Sequence, residues 1–255
     1  MEQPCTYTFD NQLTADVIQV HNWGELPDAL HRIGLQQILP TLVLVGGASK
    51  IAESDLKKLQ NLFVEIIAPI AENLGIAVVD GGTDAGIMRF IGQARTHINA
   101  SFPLVGVAAI GTVIRPGIPC TNADAAMLEP NHTHFVLVPG SNWGDESPWL
   151  AQIGSHLSQE LPSVTIVVNG GEITWQDVGE SIKAGRPTIV LSGSGRTADQ
   201  LAAAMRGEEA DQRAIELVAS GLLHSIDMRK EAEELASMIE QILSSSKLNS
   251  AIHQA

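Results

Sequence analysis

Six short runs of aliphatic and β-branched residues, at 41–45, 76–79, 105–109, 134–138, 164–168 and 188–191, are each followed closely by glycine or Pro-Gly. Runs of that length bounded by turn residues read as buried strands. The stretches between them carry helical spacing. It is clearest over 52–74, where Leu56, Leu59, Phe63, Ile66, Ile67, Ile70 and Leu74 recur on one face. Strands alternating with helices form βαβ units with right-handed crossovers, and near-continuous apolar strands belong to a parallel sheet covered on both faces. With a weaker run at 17–20, the pattern predicts an α/β fold, a Rossmann-like doubly wound and mostly parallel sheet of about six or seven strands with helices on both faces. A closed eight-stranded barrel is the less economical alternative, because too few strong strands are visible.

No composition shift or Pro/Gly/Ser linker divides the chain, so 1–255 is expected to be one domain with its core at about 40–205. A short helix over 25–37 is expected to lead into the first strong strand. Near the other end, 228–245 reads as an accessory helix. Met228, Ala232, Leu235, Ile239 and Ile242 follow a heptad spacing that is too short for a coiled coil, so this helix is expected to pack on its own domain. An intersubunit role for it, and with it a homo-oligomer, stands as the alternative. The residues 244–255 read as a frayed tail.

Acidic residues number 29 against 15 basic ones, a formal net charge of −14, which disfavours a phosphate backbone as partner. An aromatic share of 4% leaves few platforms for single-stranded nucleic acid. Neither a signal peptide nor an apolar run of spanning length is visible, so no membrane partner and a cytoplasmic location are expected. Cys5 and Cys120 lie far apart and form no Cys-x-x-Cys pair, which removes a disulfide framework and a thiolate metal site. Neither a Gly-x-Ser-x-Gly elbow nor a P-loop lysine motif occurs.

The chemistry is expected where the glycines gather. In a parallel sheet, Gly46-Gly47-Ala48-Ser49, Gly81-Gly82-Thr83, Gly111, Gly140, Gly170-Gly171 and Gly193-Ser194-Gly195 all fall at carboxyl ends of strands and should share one edge. Gly193-x-Gly195-x-x-Ala198 has the spacing of a dinucleotide fingerprint, although no clear strand follows to carry a ribose-binding acid. Backbone amides and helix N-termini in such loops attract anions, and Arg196 adds a forked positive charge. Thr83 or Asp84 is available to cap the helix that begins near Gly86 and Met88. His132 and His134, two apart, would lie on one face of a strand, but a third metal ligand is not apparent and no metal is assigned. The acids of Asn142-Trp143-Gly144-Asp145-Glu146-Ser147 are expected to act as helix-dipole partners, ribose contacts or both.

Taken together, the segments 41–49, 80–88, 105–113, 129–138, 168–171 and 193–199 resemble, in order, the N-terminal SLOG domain of melastatin-type TRP channels, the group also called LSDAT. The His-Thr-His-Phe strand and the Gly-Ser-Gly-Arg-x-Ala-Asp loop are its most specific parts. The resemblance implies a Rossmann-like fold and a pocket for a nucleotide-derived ligand such as ADP-ribose or NAD. Carried over by position, Gly46, Gly47, Ala48, Gly81, Gly82, Thr83, Gly193, Ser194, Gly195, Met88 and Arg196 would contact it, and Gly86 and Gly111 belong to the same candidate set. The wider superfamily includes phosphoribohydrolases with the signature Pro-Gly-Gly-x-Gly-Thr-x-x-Glu. Gly195 to Asp199 keeps the step from glycine to acid but departs at Arg196 and Asp199. The expected function is therefore binding or sensing of a nucleotide-derived ligand. The alternative is N-glycosidic hydrolysis of a nucleotide, with Asp199 or Asp84 stabilising the oxocarbenium-like ribosyl centre or activating water.

Overall fold

The computed structural model describes residues 1–48, 51–229 and 232–252. Its strands, in chain order, are β1 (Cys5–Thr8), β2 (Thr14–Gln19), β3 (Thr41–Gly46), β4 (Ala77–Asp80), β5 (Leu104–Ala109), β6 (Val113–Ile114), β7 (Ala126–Met127), β8 (His134–Val138), β9 (Ser163–Val168), β10 (Thr188–Ser192) and β11 (Leu223–Asp227). The helices are α1 (Leu26–Arg32), α2 (Glu53–Leu62), α3 (Ala68–Leu74), α4 (Gly86–His97), α5 (Ser147–Ser158), α6 (Glu172–Lys183), α7 (Arg196–Met205), α8 (Gln212–Val218) and α9 (Ala232–Ile252). Nine strands form the main sheet in the order β1-β2-β8-β5-β4-β3-β9-β10-β11. Every pairing in it is parallel except β1 with β2. The sheet is thus Rossmann-like and doubly wound, as the alternation requires, but wider than the six or seven strands expected. Both additions are edge strands. β11 buries only Leu223 and Ile226 of Leu-His-Ser-Ile-Asp, so it lacks the continuous apolar run that marks the interior strands.

Apolar side chains cover both faces. Leu42, Leu44, Val78, Leu104, Ile166 and Ile189 project into one core with Phe63, Ile67 and Ile91. Val43, Val45, Val79, Val105, Val167 and Val190 alternate into the other, against Leu30, Trp149 and Leu201. The helix read over 52–74 is continuous but not uniformly α. A π-helical turn over Phe63–Ile67 joins α2 to α3, and the Ala68 N–H reaches back to the Phe63 carbonyl. Pro69 explains it: the ring has no N–H to donate and clashes with a regular preceding turn, which the wider turn relieves. Leu235, Ile239 and Leu243 of α9 are buried in the first core with Met228, so this helix packs on its own sheet. It continues to Ile252, past the point at 244 where fraying is expected, and 253–255 lie outside the described residues, as do the Ala232 side chain and Ser49. Among the described residues no helix is long and apolar enough to cross a membrane.

The strand order decides where a ligand can enter. From β3 the chain steps outward through β4, β5 and β8, then returns to place β9 on the other side of β3 and continues through β10 to β11. Connections leaving β3 and β9 therefore diverge in opposite directions and leave a crevice beyond their carboxyl ends.

Candidate functional site

A cavity of about 270 Å³ occupies that crevice. Gly46 and Gly47 after β3, Gly81 and Thr83 after β4, Met88 in the first turn of α4, and Arg196 at the start of α7 all line it. Trp143, Glu146, Gly171, Glu172, Thr174 and Asp177 also belong to the wall. Turns far apart in the chain thus meet in one hollow. Larger depressions exist, one of about 490 Å³ beside Trp23 and one of about 690 Å³ between the 114–119 loop and Phe9, but neither holds a glycine turn from an interior strand.

The glycines serve this cavity by what they leave out. At Gly46, φ is +124° and a Cβ would stand 1.9 Å from the Val168 carbonyl oxygen, so only glycine lets β3 and β9 close at the cavity floor. A Cβ on Gly171 would meet the Arg196 guanidinium at 3.1 Å, so the missing side chain is the space in which that cation lies. The amides themselves are largely engaged. Gly47 N–H donates to Val168 O, Gly82 N–H to Asp80, Gly171 N–H to Thr174 Oγ1, and Gly193 N–H to Asp199. The expectation of a cradle of free amides is corrected accordingly: short loops satisfy their own donors. Attraction for an anion rests on Arg196 and the helix N-termini that converge here.

Several candidate residues stand elsewhere. Asp199 Oδ1 accepts the Gly193 N–H at 2.6 Å and fastens the 193–195 turn, outside the cavity wall. Ser194 is buried, accepting from Asn169 N and donating to Leu191 O, and Gly195 packs on the Asn169 amide. Asp84 pairs with Arg89 at 2.6 Å and faces the depression near Phe9, while Ala85 takes the capping position of α4 without a side-chain bond. Gly82 packs on Gly106 and Phe135, and Gly86 on the backbone of Gly47 and Ala48. Gly111 borders a separate hollow beside Asn122. The 193–199 loop does have a following strand, since β11 runs parallel to β10.

Two acids in the wall, Glu146 and Asp177, have buried carboxyls. Burial raises the Asp177 carboxyl to about 7, aided by the nearby Glu146 charge and opposed by a hydrogen bond from Ser147 Oγ at 2.5 Å. Burial also raises Glu146, which accepts the Gly144 N–H at 3.0 Å. Both line the same cavity as Arg196, together with Glu172, so a ligand would meet one cation, the Glu172 carboxylate and two buried carboxyls whose proton affinity is raised, Asp177 to about 7. Asp177 was legible in the chain. Asn169-Gly170-Gly171-Glu172-Ile173-Thr174-Trp175-Gln176-Asp177 keeps the Gly-Gly, the Thr and the terminal acid of Pro-Gly-Gly-x-Gly-Thr-x-x-Glu at the same spacing, with Asn169, Ile173 and Asp177 as substitutions. Gly195 to Asp199, by contrast, places its acid on the Gly193 N–H and outside the cavity wall.

Beneath the 81–83 turn lies a buried network. His132 donates or accepts at 2.8 Å to Asp80 Oδ1 through Nε2 and to Glu129 Oε2 through Nδ1. Burial opposes a charge on the ring, but the two carboxylates outweigh it and lift the pKa to about 9. Asp80 Oδ1 also accepts the Gly82 N–H at 2.7 Å, and Glu129 N–H donates to Gly82 O, so the imidazolium anchors a turn that lines the cavity. His134 faces a different neighbour, Thr133 Oγ1, and the two histidines share no ligand set. Among the described residues no group of His, Cys, Asp and Glu is arranged to hold a metal ion.

Comparison with known proteins agrees with this architecture. The X-ray structure of TM1055, a structural genomics target, superposes with a TM-score of 0.54 at 19% identity, covering 80% of this chain and all of that one, a likeness of fold. Transient receptor potential cation channel subfamily M member 2 of Mus musculus is 26% identical over 196 residues, 63% of this chain and 13% of the channel. The subfamily M member-like 2 channel of Nematostella vectensis is 27% identical over 202 residues, again 63% of this chain and 13% of the channel. The chain therefore matches only a small part of those relatives' length. Residues 39–236 match the family model described as SLOG in TRPM, prokaryote, and the chain belongs to that family.

Proposed function

We propose that the crevice between β3 and β9 binds a nucleotide-derived phosphate compound, of the ADP-ribose, NAD or nucleoside-phosphate class. One observation carries this reading: Arg196, the first turns of α4, α6 and α7 and the turns after β3 and β4 meet on a single cavity at the point where strand order reverses. Phosphate oxygens would face the Arg196 fork and the helix N-termini. Asp177, largely uncharged below its raised pKa of about 7, and Glu146, which burial also raises, would offer hydrogen bonds to ribose hydroxyls. Calorimetric titration with ADP-ribose, NAD and AMP tests the reading. Arg196→Ala is expected to weaken the binding seen by roughly 1–3 kcal/mol with the fold intact, the range for a lost charge-assisted contact. Unchanged affinity would remove Arg196 from the site.

The raised carboxyls favour a second reading, hydrolysis of the N-glycosidic bond of a nucleotide. Water would add to the anomeric carbon as the base departs with a proton, and Asp177 and Glu146 replace Asp199 and Asp84 as the groups that deliver and remove protons. Chromatographic detection of released base, abolished in Asp177→Asn, would favour hydrolysis over binding alone. Intact ligand after prolonged incubation would retire it.

A further inference from the structure

We propose that Trp143 is the platform on which the aromatic base of the bound nucleotide stacks; this rests on reading the cavity as a nucleotide site. The cavity, about 270 Å³, falls below the usual range for sites that enclose a whole ligand of this size, so part of such a ligand must lie at the rim. Trp143 stands there, lining the cavity with 40% of its surface exposed.

The other tryptophans are spoken for. Trp149 is buried and stacks on Trp23 at 3.6 Å, and Trp175 lies under the Arg213 guanidinium at 4.6 Å. Among the described residues no ring or cation stacks on Trp143. Its backbone, by contrast, is held from both sides. Asp145 Oδ2 accepts the Ser141 and Asn142 N–H groups at 2.9 and 3.0 Å, Gly144 N–H donates to Glu146, and Gln176 Nε2 donates to Gly144 O at 3.0 Å. A large ring kept in water on a fixed loop, beside a phosphate-sized hollow with one cation, suits a flat π-face that arrives with the ligand. Glu146, in the cavity wall, and Gln176 both hold Gly144, the residue next to Trp143. The loop therefore couples the base platform to the carboxyl that would face the ribose.

Titrations of wild type, Trp143→Phe and Trp143→Ala with AMP and with ribose 5-phosphate test the platform. The alanine variant is expected to bind AMP about 5- to 150-fold more weakly, the span for one lost base–aromatic stack, while its ribose 5-phosphate affinity stays put. The phenylalanine variant should retain most of the AMP affinity, and AMP should quench tryptophan emission in wild type only. Equal losses for both ligands, or no loss for AMP, would overturn stacking while leaving the site reading in place. Wild type that binds neither ligand would overturn both together.

Discussion

Replacing Asp177 by asparagine tests the electrostatics of the site without needing a ligand. In the folded chain burial holds this carboxyl at about 7, against an ordinary value of 3.8. Between those two pH values the folded chain keeps a proton that the unfolded chain has released, so wild-type stability falls as pH rises, and the deficit is complete above 7. A rise of that size corresponds to about 4 kcal/mol. Asparagine has nearly the same shape, stays neutral, and its Oδ1 can still accept from Ser147 Oγ. Denaturant unfolding of both proteins between pH 4 and pH 8 should therefore show the variant gaining on wild type by about 4 kcal/mol, or roughly 8 °C in Tm for a chain of this length. Carboxylates remote from Asp177 titrate in the same range but cancel in the difference, whereas Glu146, whose charge helps to raise Asp177, shares in it. A gap that stays constant with pH would refute the claim that Asp177 is a desolvated carboxyl, and the proton-transfer role built on it would go with it.

The buried network answers to a different pH window. His132→Ala leaves the Asp80 and Glu129 carboxylates facing each other in the interior and should cost roughly 3–5 kcal/mol in denaturant unfolding. In wild type the His132 contribution is fully present below 6.5 and lost as pH rises toward 9, a loss that the variant should not show. Gly46→Ala forces a methyl against the Val168 carbonyl at positive φ and should lower stability by about 3 kcal/mol or more; a melting curve matching wild type would contradict the tight β3–β9 approach.

Much of the fold is legible in the sequence, because interior parallel strands are apolar on both faces and announce themselves by composition alone. All six strong runs became strands within a residue or two. The strands of the main sheet that escaped are its two edges, β1, exposed along almost its whole length, and β11, which buries only Leu223 and Ile226, because hydrophobic continuity is not required there. Convergence of the glycine turns followed from the same logic, since every parallel strand delivers its carboxyl end to one edge. What each turn does there could not follow. Gly46 and Gly171 line the cavity while Gly82, Gly193 and Gly195 brace the turns around it, and the distinction rests on which neighbour occupies the space a Cβ would need.

The chain by itself determined the layered α/β architecture, the edge on which chemistry is possible, and Arg196 as the cation there, since periodicity and local turn chemistry act over a few residues. Only the tertiary structure decided that the carboxyls of Glu146 and Asp177 lie buried in the cavity wall and that His132 is an anchor between carboxylates. A carboxyl's role is set by how much water it loses and which charges it meets. Those are supplied by segments that are distant in the chain and come together when β9 returns beside β3.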